Sequence, residues 1–401
     1  EKMNRNRKSG IFRGITRNVF LLGLVSLFTD LSSQMVFPLI PLYLVSVLGA
    51  GASVVGIVGG AAETTASLIK VFSGYWSDRV KRRKPFVLIG YSFSAITKPL
   101  FALAKVWPLV LAIRVLERIG KGVRSAPRDA MVAESVDRSV RGKAYGFHRA
   151  MDGFGSVLGA LLAFILLSVT NSNYTQIFLL AGIPGIAAVL FVLFLKEPKV
   201  TEKQRIKETS MRVSFKALPA NLRLLIVAAS VFYLGHFGYA FLLLRAKDIG
   251  LADQTAILLY VLFYVVYVIA AIPAGMLSDR IRLARWRCLF GSQYAIVSLG
   301  LIYTSSLYSI LPFFALYGVS FAMFDSVQRA YVVDFAPELL KATTLGSFHT
   351  AIGLVALPGG YIAGMLWDKI SPEATFVYGL ALAMISSLLL LLVKPKREPT
   401  R

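Results

Sequence analysis

The sequence predicts an all-α membrane protein, with twelve transmembrane helices in two six-helix, pseudo-symmetric bundles. Three observations carry this. First, 56% of the 401 residues are hydrophobic and 16% are charged, where ordinary soluble domains run at roughly 45–50% and about 25%. The mean hydropathy is +0.66. Second, the apolar residues gather into twelve runs, each near the ~20 residues that a helix needs to cross a bilayer. Third, short polar signatures recur at a fixed offset between the first six runs and the last six. A water-soluble surface cannot hide so much apolar side chain, so composition excludes a soluble enzyme, a disordered chain and a disulfide scaffold. Cys288 is the one cysteine, so no intrachain disulfide can form.

The elements follow in chain order. A basic N-terminus, residues 1–17, carries Lys2, Arg5, Arg7, Lys8, Arg13 and Arg17. Span 1 (18–47) is too long for a signal-peptide core and lacks a small-residue cleavage site, so it is expected to be retained. Span 2 (52–75) runs into Arg79, Lys81, Arg82, Arg83 and Lys84, and spans 3 (85–104) and 4 (107–130) are separated by Lys105. Arg138, Arg141 and Lys143 precede span 5 (144–168), and span 6 (175–195) completes an N-terminal bundle over 18–195. Residues 196–219 are charged, with few large apolar side chains, and divide the spans six and six as a linker. The second bundle, 220–393, holds spans 7 (220–246), 8 (253–275), 9 (287–305), 10 (308–332), 11 (342–367) and 12 (373–393), and the basic tail is 394–401. Basic residues crowd alternate gaps, while the opposite gaps hold Lys105, Lys247 and Lys369. The positive-inside rule then places both termini and the linker in the cytoplasm, in the cytoplasmic (inner) membrane. The net charge of +23 therefore reads as topology, with the lipid bilayer as partner and no nucleic acid. Trp76, Trp107, Trp286 and Trp367 all fall at span ends, as an aromatic belt requires.

The repeat sits at an offset of 201 residues: Gly74-Tyr-Trp-Ser77-Asp78-Arg79 returns as Gly275-Met-Leu-Ser278-Asp279-Arg280. Gly90 matches Gly291, Arg128 matches Arg329, Phe147-His148 matches Phe348-His349, and Gly159 matches Gly360. The chain has three histidines, so a Phe-His pair in the same register is a strong signal. Parallel repeats of this kind are a transporter architecture. Gly74-x-x-x-Asp78-Arg79-x-x-Arg82-Arg83, placed in the loop after span 2, resembles the signature loop of the major facilitator superfamily, and the weaker copy after span 8 strengthens the likeness. Lys81 stands where that loop usually has glycine. Span 5 keeps Gly155-x-x-x-Gly159 but has Ala160 where the antiporter-type motif has proline. The resemblance implies that spans 1, 4, 7 and 10 line a central cavity and that 2, 5, 8 and 11 flank it. It also implies a gate built from Gly74, Asp78, Arg79 and Arg83, mirrored by Asp279 and Arg280. Asp78 would meet the start of span 11 and Asp279 the start of span 5. Arg83 can pair with Glu134 of its own half.

Ionisable residues inside a bilayer mark cavities, partners or pathways. At 1.5 Å per residue, Asp30 lies ~18 Å into span 1, Glu63 ~16 Å into span 2, Arg118 ~16 Å into span 4 and Asp152 ~12 Å into span 5, near the middle of a core ~30 Å thick. Arg114 and Glu117 share span 4 with Arg118. The second half offers a sparser polar set: His236 and Tyr239 on span 7, and Asp325 and Gln328 on span 10. It is rich in aromatics (Phe232, Tyr233, Phe237, Tyr260, Phe263, Tyr264, Tyr267). A carboxylate in low dielectric can hold a proton at neutral pH and a nearby arginine opposes that, so Asp30 or Glu63 is expected to carry a coupled proton. Lys98 is expected to snorkel outward from a peripheral span, and Arg124 and Arg128 to act as cytoplasmic anchors. His148, with Arg149 and Asp152 close by in sequence, and His349 sit about one turn inside the ends of spans 5 and 11. Each is either a satisfied core histidine or a gate element.

These residues point to a proton-coupled secondary transporter of a small organic, anionic or siderophore-like solute, working by alternating access and exporting it. Uptake of an organic anion or phosphorylated metabolite is the alternative, ahead of metal-ion transport at Asp30 or a non-transport membrane protein. No phosphate-binding loop of the G-x-x-x-x-G-K-[ST] type is present. The loops are too short to assemble a catalytic cluster. The expected partners are a small-molecule solute and protons, with no cofactor and a monomeric chain.

Overall fold

The computed structural model describes residues 15–80, 82–137, 140–197, 218–280, 283–335 and 341–393, less the side chains of 272, 274–291, 324–343 and 345. Most of the basic N-terminus, the central linker and the tail lie outside this set. Within it the chain forms twelve helical stretches. They are α1 (Arg17–Val47), α2 (Ala52–Val80), α3 (Lys84–Leu103), α4 (Trp107–Glu134), α5 (Arg141–Val169) and α6 (Tyr174–Leu193) in the first half. The second half holds α7 (Ala220–Asp248), α8 (Asp253–Arg280), α9 (Leu283–Tyr303), α10 (Leu307–Phe335), α11 (Lys341–Lys369) and α12 (Pro372–Leu392). In a bilayer only helices can satisfy every backbone group of such segments internally. The helices α2 and α8 run on through Asp78-Arg79 and Asp279-Arg280, so those pairs occupy last helical turns and not the loop expected for them.

Among the described residues nine stretches are long and apolar enough to cross a membrane. The helix α4 fails that criterion because Arg114, Glu117, Arg118, Lys121 and Arg124 interrupt it. Among the described residues three helices are discontinuous: α6, interrupted between Leu180 and Gly182, and α1 and α7. The first regular stretch of α1 ends at Val36 before Pro38, and its last turn, Tyr43–Val47, widens to a π-helix. The helix α7 breaks between Gly235 and Gly238, where Gly238 takes φ +63°. Hydroxyls repair that break: Tyr294 accepts the Phe237 N–H at 3.1 Å, and Tyr378 donates to the Leu234 carbonyl at 3.0 Å.

The first half packs α1 on α5 and α6, and α4 on α2 and α3; the second packs α8 on α10, α12 on α9 and α7, and α11 on α7. Two antiparallel seams join the halves, α2 with α11 and α5 with α8. The α2–α11 seam is backbone on backbone. A Cβ on Gly56 would stand 1.9 Å from the Gly360 carbonyl oxygen, so small residues set the approach of these helices.

The basic face is the one at which α1, α3 and α5 begin and α2 and α4 end, with Arg79, Arg83, Lys84 and Arg141. On the opposite face the halves are bonded together. The Asp368 carboxylate at the end of α11 accepts the backbone N–H groups of Ala52 (2.8 Å) and Ser53 (2.9 Å), capping the first turn of α2. Asp253, opening α8, accepts from the Tyr174 hydroxyl of α6 (2.5 Å) and from Ser46 of α1 (3.4 Å), and pairs with Lys247.

Candidate functional site

A cavity of about 110 Å³ lies between the halves. The first half supplies a charged wall. One face of α1 presents Asp30, Ser33, Gln34 and Phe37, and α4 presents Glu117, Arg118, Lys121 and Arg124. The α1 set follows the i, i+3, i+4, i+7 spacing of a single helix face, and the α4 set the related i, i+1, i+4, i+7 spacing. The second half supplies three tyrosines, Tyr239 of α7 and Tyr260 and Tyr264 of α8. The helix α8 was expected only to flank the cavity, yet it carries two of its lining side chains.

The charged wall is held by one buried carboxylate. Glu117, 0% exposed, pairs through Oε2 with Arg114 Nη1 at 3.2 Å and with Arg118 Nε at 3.6 Å. Both guanidinium groups lie over the Phe37 ring, at 3.7 Å and 4.9 Å from its centroid, an arrangement that stabilises a partly desolvated cation. Arg118 Nε and Nη1 and Glu117 Oε1 find no hydrogen-bond partner among the described residues. Asp30 and Lys121 likewise make no side-chain hydrogen bond or contact ion pair there, although each lies within electrostatic reach of the other. Two neutral hydrogen bonds bridge the walls: Gln34 donates to the Tyr264 hydroxyl at 2.6 Å, and the Tyr260 hydroxyl donates to Gln34 at 2.8 Å.

The other candidate residues distribute around this centre. Glu63 on α2 is exposed and within electrostatic reach of Arg114, Arg118, Lys121 and His236. Asp152 on α5 is near Asp30 and stands 3.5 Å from His148 Nδ1. His148 is buried, with Nε2 at 2.7 Å from the Ser26 hydroxyl of α1. His236 sits in the α7 break, stacked on Tyr294 and 3.3 Å from the Tyr317 hydroxyl, and does not line the cavity. His349 packs beside Phe348, and Arg149 is exposed. The side chains of Asp279, Arg280, Asp325 and Gln328 lie outside the described residues.

Two expectations are corrected. Lys98 does not snorkel outward: it is 0% exposed and donates to the Ser32 hydroxyl (3.0 Å) and the Thr29 carbonyl (3.2 Å) of α1. Arg124 is no interfacial anchor. It is buried, donates to Ser94 at 2.7 Å, stacks 4.3 Å from the Tyr91 ring centroid and lines the cavity. Arg128 pairs with Asp129 at 2.8 Å, half-buried on α4. Gln34 and Lys121 were not singled out in the sequence. A neutral amide on an apolar span carries no charge signal, and Lys121 was one basic residue among several.

At the basic face, Gly74 packs where a Cβ would lie 3.3 Å from Ala126, and Asp78 pairs with Arg83 at 2.5 Å. Arg83 also reaches Glu134 at 3.0 Å, within its own half. Burial opposes the charge of Arg83, but the hydrogen bonds to Glu134 and Asp78 outweigh it and raise its pKa above the ordinary arginine value. Arg79 is exposed. Residues 336–340, before the start of α11 that Asp78 was expected to meet, lie outside the described set. Among the described residues no three His, Cys, Asp or Glu side chains gather as a metal site.

This geometry, a two-sided cavity between repeated six-helix halves, matches what comparison with known proteins finds. A family model described as Major Facilitator Superfamily matches residues 22–244 and 224–401. An uncharacterised MFS-type transporter of Methanocaldococcus jannaschii is 41% identical over 387 residues, covering 95% of this chain and 96% of that protein. Multidrug resistance protein 1 of Bacillus subtilis is 26% identical over 371 residues, covering 89% and 90%. Among solved structures, the nucleoside transporter NupG superposes with a TM-score of 0.79 at 13% identity, covering 94% of this chain and all of the other. With the family matched over nearly its whole length, the chain belongs to the Major Facilitator Superfamily and is a multi-pass membrane transporter.

Proposed function

We propose that this transporter carries a small organic anion together with a proton, by alternating access, with its basic face and termini in the cytoplasm. The observation that carries the reading is the pair Arg118 and Lys121, which line the cavity beside Asp30, a carboxylate with no contact ion pair among the described residues. Among the described residues three cations against two carboxylates line the cavity, and arginine is well suited to carboxylate and phosphate. A volume of about 110 Å³ is below the ~300–1,000 Å³ of drug-sized sites, which favours a small solute. The tyrosine wall offers hydroxyls and ring faces to its uncharged part.

The same charges decide the sense of coupling. An ionised Asp30 competes with the solute for Lys121 and Arg118; a proton on Asp30 removes that competitor. Proton and anion then favour each other's binding, which is the thermodynamic condition for moving in the same direction. An inward proton gradient would therefore drive uptake. Export is the second reading, favoured by the likeness to a multidrug resistance protein of Bacillus subtilis.

The test uses purified protein in liposomes containing a pH-sensitive dye and a panel of small mono- and dicarboxylates as probes. Symport predicts that adding the transported carboxylate outside acidifies the lumen. Exchange of a carboxylate for a proton makes the lumen alkaline and would overturn the uptake reading in favour of export. Asp30→Asn should keep solute exchange between equal pH values while losing accumulation driven by a pH gradient.

A further inference from the structure

Outside the cavity, the most unusual ionisable group is Lys98 on α3. It is completely buried, and the groups it touches are neutral oxygens of α1, the Thr29 carbonyl at 3.2 Å and the Ser32 hydroxyl at 3.0 Å. Among the described residues no carboxylate lies in ion-pair contact with it. A buried ammonium without such contact is expensive within a membrane, whereas a methionine would fill the same space at no electrostatic cost.

We propose that Lys98 is a positioning residue for the Asp30 proton site, holding α1 at the rotation that turns Asp30 into the cavity. The proposal rests on the reading of Asp30 given above. Three features support it. The carbonyl that Lys98 grips belongs to the peptide unit joining Thr29 to Asp30, so the bond acts one atom from the Asp30 backbone nitrogen. The helix α1 also has two polar faces: Asp30, Ser33, Gln34 and Phe37 line the cavity, while Thr29 and Ser32 turn toward α3. At ~100° per residue, a modest rotation of α1 would withdraw Asp30 from the cavity. Finally, Ser32 relays the tie. Its hydroxyl accepts from Lys98 and donates at 2.6 Å to the Ala181 carbonyl, where α6 is interrupted between Leu180 and Gly182. Three helices thus meet at the hydroxyl next to the proton site.

The charge of Lys98 also lies within electrostatic reach of Asp30. The ionisable groups around it are Asp30 on α1 and Arg114, Glu117 and Arg124 on α4. The packed face of α6 adds no carboxylate or cation, since residues 174–193 contain none. Asp30 in turn faces Asp152 on α5 and Lys121, Arg124 and Arg128 on α4.

The experiment is a double-mutant cycle on the full chain in liposomes, reading proton-driven uptake and its dependence on external pH, with thermal unfolding as the control for folding. Lys98→Met should lower proton-driven uptake by about tenfold, within the coupling range of groups that share one network, and shift the pH profile. Lys98→Arg should restore most of the rate. Ser32→Ala, which keeps the charge and removes the relay, should shift the profile in the same sense by less. In an Asp30→Asn background, Lys98→Met should change residual solute exchange less than twofold, because its target is gone. An equal fractional loss in both backgrounds would show that Lys98 only packs, and would overturn the proposal while leaving the Asp30 reading intact. Wild-type proton-driven uptake in Asp30→Asn alone would overturn the Asp30 reading itself.

Discussion

The two walls of the cavity come from repeated halves, yet their chemistry has little in common. Along α4, Arg114, Glu117 and Arg118 form an ion-paired set with Lys121 one turn on; at the offset of 201 residues their counterparts on α10 are Ala315, Gly318, Val319 and Ala322. The second half answers with rings, Tyr260 against Tyr239 (5.1 Å between centroids) and against Tyr264 (5.2 Å). What the halves share is the close approach of backbones: Gly155 and Gly159 press α5 onto α1, and their repeat partners include Gly360 in the α2–α11 seam. The repeat keeps glycine at tight helix contacts, but Gly159 serves a contact inside one half and Gly360 a contact across the halves, and the lining side chains differ as well. Among the described residues, one half presents charge to the cavity and the other presents tyrosine rings and hydroxyls.

The largest expected effect is on the carboxylate that holds the charged wall. Glu117→Ala leaves Arg114 and Arg118 buried without their shared partner and should lower stability by about 3–5 kcal/mol, read as a fall in thermal unfolding temperature in detergent. Tyr260→Phe, on the other wall, should change it far less; equal losses would erase the distinction between the walls. Next is Arg118→Ala, which should weaken binding of the carboxylate probe by roughly 10- to 100-fold, the range of a charged hydrogen bond, with Arg118→Lys intermediate. Calorimetry or ligand-dependent thermal shift measures it. Tyr264→Phe removes the Gln34–Tyr264 bond between the walls, worth about 1 kcal/mol, and should lower the unfolding temperature slightly while changing probe binding less than Arg118→Ala does. The smallest effect is at the basic face. Asp78 is 58% exposed beside Arg83, so Asp78→Asn should alter stability by under ~1 kcal/mol.

Much of this was legible in the sequence because depth follows from counting. Asp30, Glu117 and Arg118, which counting puts well inside spans 1 and 4, all line the cavity, and the twelve spans follow from apolar run lengths. Azimuth does not follow from counting. Lys98 reads as peripheral from its span, but its direction is set by Thr29 and Ser32 on a different helix. Arg124 reads as an anchor when span 4 is ended at residue 130. The helix in fact continues to Glu134, which places Arg124 more than two turns from its end. Gln34 was invisible because its value lies in a bond to tyrosines 226 and 230 residues away.

The bonds that close the opposite face bear on speed. Under alternating access that face reopens once in every cycle, so Asp368 must release the first turn of α2, and Asp253 must release Tyr174, each time a solute passes. A lock broken once per turnover adds its strength to the activation barrier, and each ~1.4 kcal/mol of extra grip divides the maximal cycling rate by ten. Asp368 grips through two backbone N–H groups at 2.8 and 2.9 Å, one of them half-buried and the other open to water. Water can replace the protein donors as they part, which keeps the lock specific in geometry and shallow in energy. Burying that carboxylate would hold the face closed more firmly and make the transporter slower.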